Sequence, residues 1–394
     1  MTRFLIFLAL CWAAFSADGG ALLIITEPTA RGHAGALFDQ WVAQIQREGN
    51  FSPVIVREHA RWTGTFLTND WPGLNRMSND IVQFNPSAVQ LFGHLPWLKA
   101  GPVNPDGHVT RCALTHQWLA CVPGFAVEDW RTNTGMGYDA GITSPLVATN
   151  VANDGIPDNT AGTFIRPVSF IDAANLVYNV DGGTFSSGYL TGQPRQPAVD
   201  EGLWLKIYLT NNMGFRQQAW TVTETGFIRS DGWMNAATVM SVNNSVSWTS
   251  GSTSIAGRTD RWVHHSHELP AWSPSLVTED GVFLRCFSAQ LYKSYGMEES
   301  TGQATYRRHL FPGFAPYAMA LVAGWCYGTA STSSFVWIAK SENVTVADAI
   351  TSSAQRYSGI MPFECPIVGD LTIPIDTITQ APPATATVGT LVVQ

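Results

Sequence analysis

Charge is scarce in this sequence of 394 residues. Asp, Glu, Lys and Arg together make up 13%, and the net charge of −8 has no acidic or basic run behind it. Nucleic acid is therefore excluded as a partner, and Ser, Thr, Asn and Gln must wet most of the surface. Long apolar runs are missing too: nothing after the first residues approaches the roughly 18 apolar residues of a membrane-spanning helix. Several chemical signatures are also absent. There is no Gly-x-Ser-x-Gly elbow and no His-Glu-x-x-His helix motif, and Leu269 stands where a His-x-His-x-Asp metallohydrolase would need an acid. Gly135-Met-Gly137 and Gly182-Gly183 lack the strand-then-helix setting of a phosphate-binding loop, which removes nucleotide binding.

What is present is a large globular core. With 45% hydrophobic and 11% aromatic residues, the chain has apolar surface for two packed halves. It opens with Met1-Thr-Arg3, apolar Phe4 to Phe15 and the small pair Ser16-Ala17, the three regions of a secretory signal. Residues 1–16 are thus expected to direct export, giving a secreted or cell-surface protein with no membrane span in the mature chain. Of the six cysteines, Cys11 lies in the signal, which leaves Cys112, Cys121, Cys286, Cys326 and Cys365. In an oxidising compartment Cys112 and Cys121, flanking a short hairpin, are the expected disulfide. Cys326 with Cys365 is a second candidate pair, and Cys286 is then left free.

Hydrophobic periodicity gives alternating strands and helices. Ala21 to Ile25 is a continuous apolar run suited to a strand buried on both faces, and Ala34 to Glu48 has helical spacing through Leu37, Trp41 and Ile45. Pro53 to Val56 predicts a second strand, Asp70 to Phe84 a second helix capped by Asn69 or Asp70, and Ala88 to Phe92 a third strand. These are successive parallel βαβ units with helices on both faces. Residues 95–195 dissolve into Gly-, Pro-, Asn- and Thr-rich turns. Beyond them the spacing predicts a helix over Val199 to Met213, strands over Trp220 to Thr223, Trp262 and Val263, Val282 to Phe287 and Tyr317 to Val322, a helix over Val346 to Tyr357 and a strand over Leu371 to Ile375. The expected organisation is a signal over 1–16, a first α/β subdomain over 17–195 carrying the loop-rich insertion, a second over 196–376, and a Pro/Thr-rich tail over 377–394, with Val388 to Val393 as a terminal strand.

Two clusters invite ligands. Asn153-Asp154-Gly-Ile-Pro-Asp158-Asn159 sets oxygen ligands on both sides of a glycine turn, the arrangement of a calcium loop, with an Asx-stabilised turn as its metal-free alternative. His265 and His267, two apart and so on one face of a strand, suit a metal shared with Glu268, or else are histidines with no ligand role. The 15 Trp residues suit a carbohydrate-stacking surface as well as core packing.

The run ending Thr26-Glu27-Pro28, the Trp41 helix, and Asn85-Pro86 leading into Val89-Gln-Leu-Phe-Gly-His94 resemble the opening subdomain of gingipain-type cysteine peptidases. Where that family ends the strand in Gly-Asp, this chain has Gly93-His94. An exported bacterial branch is more similar still, through Asn104 to His108, Thr115 to Trp118, Asn153 to Asp158 and Arg166 to Val168 in that order. The resemblance implies a caspase-like α/β fold of mostly parallel sheets, with a catalytic His on the loop after one strand and a nucleophilic Cys on the loop after the next. Carried onto this chain, it implies His265 or His267 with Cys286 as the dyad, and Ser294 at an alternative nucleophile position. No glycine follows these histidines, and Cys286 is followed by Phe287-Ser288. The expected function is accordingly that of a non-catalytic homologue, an extracellular binding or structural protein whose partner is another extracellular protein or a second copy. The alternatives are an active thiol endopeptidase acting on peptide or protein, and a carbohydrate-binding surface protein.

Overall fold

The computed structural model describes residues 20–62, 70–96, 98–99, 112–115, 119–120, 165–172, 201–217, 223–230, 247–250, 260–266, 286–292, 298–299, 318–324, 345–348, 350–351, 367–374 and 392–393. The chain is α/β. Leu22–Thr26 (β1) is buried along its whole length, as its unbroken apolar run demands. The helical pattern that follows is split: Pro28–Ala34 (α1) and Ala36–Glu48 (α2) meet at Gly35, whose φ of 57° and ψ of −138° neither helix can absorb. The Glu27 carboxylate caps α1, and Phe38, Trp41, Val42 and Ile45 form the buried stripe of α2. Val54–Glu58 (β2), Trp71–Phe84 (α3), capped by Asp70, and Ala88–Phe92 (β3) complete the first units.

Short strands Leu98–Lys99 (β4) and Cys112–Thr115 (β5) come next, then Val168–Ile171 (β6) and the helix Glu201–Arg216 (α4). The second half contributes Thr223–Ser230 (β7), Ser247–Ser250 (β8), Asp260–Ser266 (β9), Cys286–Tyr292 (β10), Glu298–Glu299 (β11), Ala318–Gly324 (β12), Ile367–Gly369 (β13) and Val392–Val393 (β14). Eleven of these strands form one sheet in the order β14-β2-β1-β3-β6-β13-β12-β10-β9-β7-β8. Every pairing in it is parallel except β12 with β13. The sheet is therefore two parallel blocks joined antiparallel, and the carboxyl ends of the two blocks lie on opposite edges. Within the first block β1 is flanked by β2 and β3, so right-handed crossovers send α2 and α3 to opposite faces.

Three expectations change. β5 pairs with β4 and β11 instead of folding back within Cys112 to Cys121. The strand expected over 282–287 is Cys286–Tyr292, because pairing with both β9 and β12, not the apolar run alone, selects the segment. The strand expected over 371–375 ends at Gly369, because the Asp370 carboxylate accepts from the Thr372 backbone N–H at 2.8 Å and turns the chain. Among the described residues no helix is long and apolar enough to cross a membrane.

The seam between blocks is held by buried polar groups. Gln90 of β3 donates to the Gly369 carbonyl at 3.1 Å and accepts from the Ser169 hydroxyl at 2.9 Å and the Leu371 N–H at 3.1 Å. One turn further, Asp370 accepts from Trp41 Nε1 at 2.7 Å, Asn212 Nδ2 at 2.8 Å and Arg216 Nη2 at 2.7 Å. Arg216 also donates to the Asn212 amide oxygen, the Thr372 hydroxyl and the Glu48 carboxylate. Burial opposes the charge on Asp370, but Arg216, Thr372 and Trp41 outweigh it and hold its carboxyl below the usual range. Removing the carboxylate leaves the guanidinium buried and half-paired. Asp370→Ala is expected to destabilise the fold by about 3–5 kcal/mol, measured as a lowered urea midpoint, while Thr372→Val costs about 1–2 kcal/mol.

Candidate functional site

In a parallel sheet, ligands gather at the carboxyl ends of strands, where neighbouring crossovers diverge. The two blocks offer two such edges. On the second, β9 and β10 are parallel neighbours with Leu291 beside His265 and Ser288 beside Trp262. Cys286 lies five positions before Leu291 and pairs instead with Ala318, at the amino end of its strand. At about 3.3 Å per residue that separates the backbone of residue 265 from that of residue 286 by about 17 Å. Residue 286 thus begins β10 where it was expected to end a strand, and the side chains of the expected dyad lie outside the described ones. His267, Glu268 and Ser294 lie outside the described residues; in sequence they follow Ser266 of β9 and Tyr292 of β10. The calcium-loop candidates Asn153, Asp154, Asp158 and Asn159 also lie outside them, as does Cys121, the expected partner of Cys112.

The first edge is built from residues that immediately follow strands. Glu27 ends β1, Gly93-His94 ends β3 and Asp172 ends β6. Glu27 is fully buried. Its carboxylate accepts from the N–H groups of Thr29 at 2.7 Å and Ala30 at 3.0 Å, and from Arg61 Nη1 at 2.7 Å. Arg61 grips the Glu201 carboxylate with both terminal nitrogens, at 3.0 and 2.8 Å, tying the edge to the start of α4. Burial disfavours the Arg61 charge, but Glu201 and Glu27 overcome it and push its pKa above the ordinary value.

His94 occupies the centre. Its ring is 0% exposed, its Nδ1 lies 2.8 Å from Asp172 Oδ2, and Trp62 stacks on it at 5.2 Å with planes 27° apart. The Trp62 backbone N–H donates to the His94 carbonyl at 2.9 Å. With Nδ1 held by the carboxylate, Nε2 is the remaining nitrogen, and among the described residues it has no hydrogen-bond partner. This is the orientation an aspartate imposes on a catalytic imidazole. Here, however, the ring is sealed, and while Asp172 holds it the Glu27 carboxylate is spent on Arg61 and on the helix cap. Among the described residues no group of three or more His, Cys, Asp and Glu is arranged to hold a metal.

His94 was legible only as a departure from Gly-Asp, and Glu27 only as the residue closing an apolar run. A stronger signal was available, since charged residues at 27, 94 and 172 each follow a buried strand by one or two positions. The motif pair Asn85-Pro86 and Arg166, by contrast, does meet in space. Buried Arg166 donates from Nε to the Pro86 carbonyl at 2.8 Å and from Nη2 to Asn85 Oδ1 at 3.2 Å.

No protein-family model and no curated protein matches the chain. Among solved structures, one described as "Structure of Protease" is similar at 8% sequence identity and a TM-score of 0.47, covering 90% of this chain and 78% of that one.

The turn that presents His94 depends on Gly93. Its φ is 101°, and an added Cβ would stand 2.6 Å from the Ala30 Cβ and 2.8 Å from the Glu27 Cγ. Gly93→Ala therefore pays both backbone strain and a clash with α1. It is expected to lower stability by about 2–4 kcal/mol and to change Trp62 fluorescence, whereas Gly32→Ala, with nothing within 4 Å, stays within about 1 kcal/mol of the parent.

Proposed function

We propose that this chain is an exported homologue of gingipain-type cysteine peptidases that keeps the α/β scaffold without the thiol chemistry, and serves as an extracellular binding or structural protein. The observation that carries this is the β9/β10 register. A thiol peptidase needs its imidazole beside the sulfur, so that thiolate exists at neutral pH. Cys286 instead begins its strand, at the sheet edge opposite the end of β9 that carries His265. The residues that follow β10 are Lys293 and Ser294, and no cysteine lies between them and Cys326. The junction of Asn85, Pro86 and Arg166 supports the ancestry, since it gives motifs 80 residues apart in the chain a common physical task. The sealed edge around His94 supports a scaffold role for the first block, where side chains of the protein itself fill the crevice in which a ligand would sit.

The partner is then another extracellular protein or a second copy of the chain, met through the polar Asn- and Thr-rich surface. A peptidyl electrophile directed at thiols is expected to leave Cys286 unlabelled in the folded protein, and fluorogenic peptides to remain intact. Labelling of Cys286 together with peptide cleavage that Cys286→Ala abolishes would overturn the proposal. So would labelling of Ser294 by a serine-directed phosphonate.

Residues Asn153, Asp154, Asp158 and Asn159 supply the hard oxygen donors that calcium takes. Calcium at millimolar concentration is expected to raise the melting temperature by several degrees, reversed by chelator. An Asp154→Asn, Asp158→Asn chain should lose that response, and identical melting of the parent with calcium and with chelator removes the site.

A further inference from the structure

We infer that the outer edge of β2 is a strand-acceptor site, filled in this chain by its own residues Val392 and Val393. β2 pairs with β1 along one side, and on the other side only β14 meets it among the described residues. The pairing is parallel, with Val392 beside Ile55 and Val393 beside Val56. Sheet edges expose a row of unpaired N–H and C=O groups, and proteins blunt them with lysine, proline, bulges or a covering segment. Pro53 precedes β2, and charged Arg57 and Glu58 close it, but the apolar run Val54-Ile55-Val56 between them has none of the blunting residues. Over that run covering is the device used, and it comes from far along the sequence. The Pro- and Thr-rich stretch Ala381 to Thr387 lies between the last core turn and β14.

The chemistry of the site follows from the pairing. Main-chain hydrogen bonds supply the binding, so the ligand is an extended peptide, and the sequence filling it has two adjacent β-branched residues. A ladder of two residues is short and holds because the tether keeps its local concentration high. This edge is independent of the fate of Cys286, since it lies at the opposite end of the sheet order from β9 and β10.

The test uses the full chain carrying Val392→Pro and Val393→Pro, which removes both N–H donors of β14, and a labelled peptide of residues 388–394. Amide exchange at Ile55 to Arg57 is expected to rise at least tenfold in the double variant while exchange across β1 and β3 is unchanged. The peptide is expected to bind the double variant and not the parent, whose own strand competes in cis, and a peptide with the same two prolines to bind neither. Unchanged exchange at β2, or a peptide that ignores both chains or binds both equally, would overturn the inference. A parent that sediments as a dimer and a double variant that sediments as a monomer would also overturn it, because the strand would then be donated between copies.

Discussion

The buried pair of Arg216 and Asp370 is the constraint around which the rest is arranged. Both groups are almost completely enclosed, and an enclosed charge is tolerated only when its partner and its remaining hydrogen bonds are all in place. Satisfying Asp370 takes Trp41 from α2, Asn212 and Arg216 from α4, and Thr372 from its own turn. Three segments distant in sequence must therefore arrive together, and β13, immediately before Asp370, is fixed between β6 and β12 as a result. Glu48 is the less settled member. Burial raises its pKa more than the neighbouring guanidinium lowers it, whereas Asp370 stays below the usual range. Arg216 thus lies between two carboxylates whose pKa values move in opposite directions.

Fixing β13 there has a functional consequence. It is parallel to β6 and antiparallel to β12, so it sets the two blocks in opposite directions and sends their carboxyl edges to opposite sides of the sheet. The first edge is closed by Glu27, Arg61, Glu201, His94 and Asp172, each engaged with another. The second is where β9 and β10 end side by side, the relation that a histidine and a nucleophile on successive loops would need. The two halves thus share an architecture without sharing a site, and the polar residues of the first edge act mainly to hold α1 and α4 against the sheet.

Much of the local structure was legible because local physics decides it. The unbroken run of β1, the stripe of Phe38, Trp41 and Ile45, the Asp70 cap and the whole of β3 follow from periodicity and capping chemistry within a few residues. The errors have non-local causes. Gly35 reads as one tolerable glycine in a long helix until its φ and ψ are seen. The apolar letters from Val282 to Phe287 resemble a strand as closely as Cys286 to Tyr292 do, and only the registers of β9 and β12 choose between them. A shift of a few residues moved Cys286 from the carboxyl to the amino end of its strand.

The sequence by itself determined an alternating α/β chain, a large apolar core and the motif order that suggests ancestry, all consequences of composition and short-range pattern. Tertiary structure alone decided the opposed blocks, the strand register beside His265, the enclosure of His94 and the pairing of Val392 with Ile55. The reason is physical. Burial and strand pairing are relations between segments far apart in the chain, and a buried charge such as Asp370 finds its partners through space rather than along the sequence.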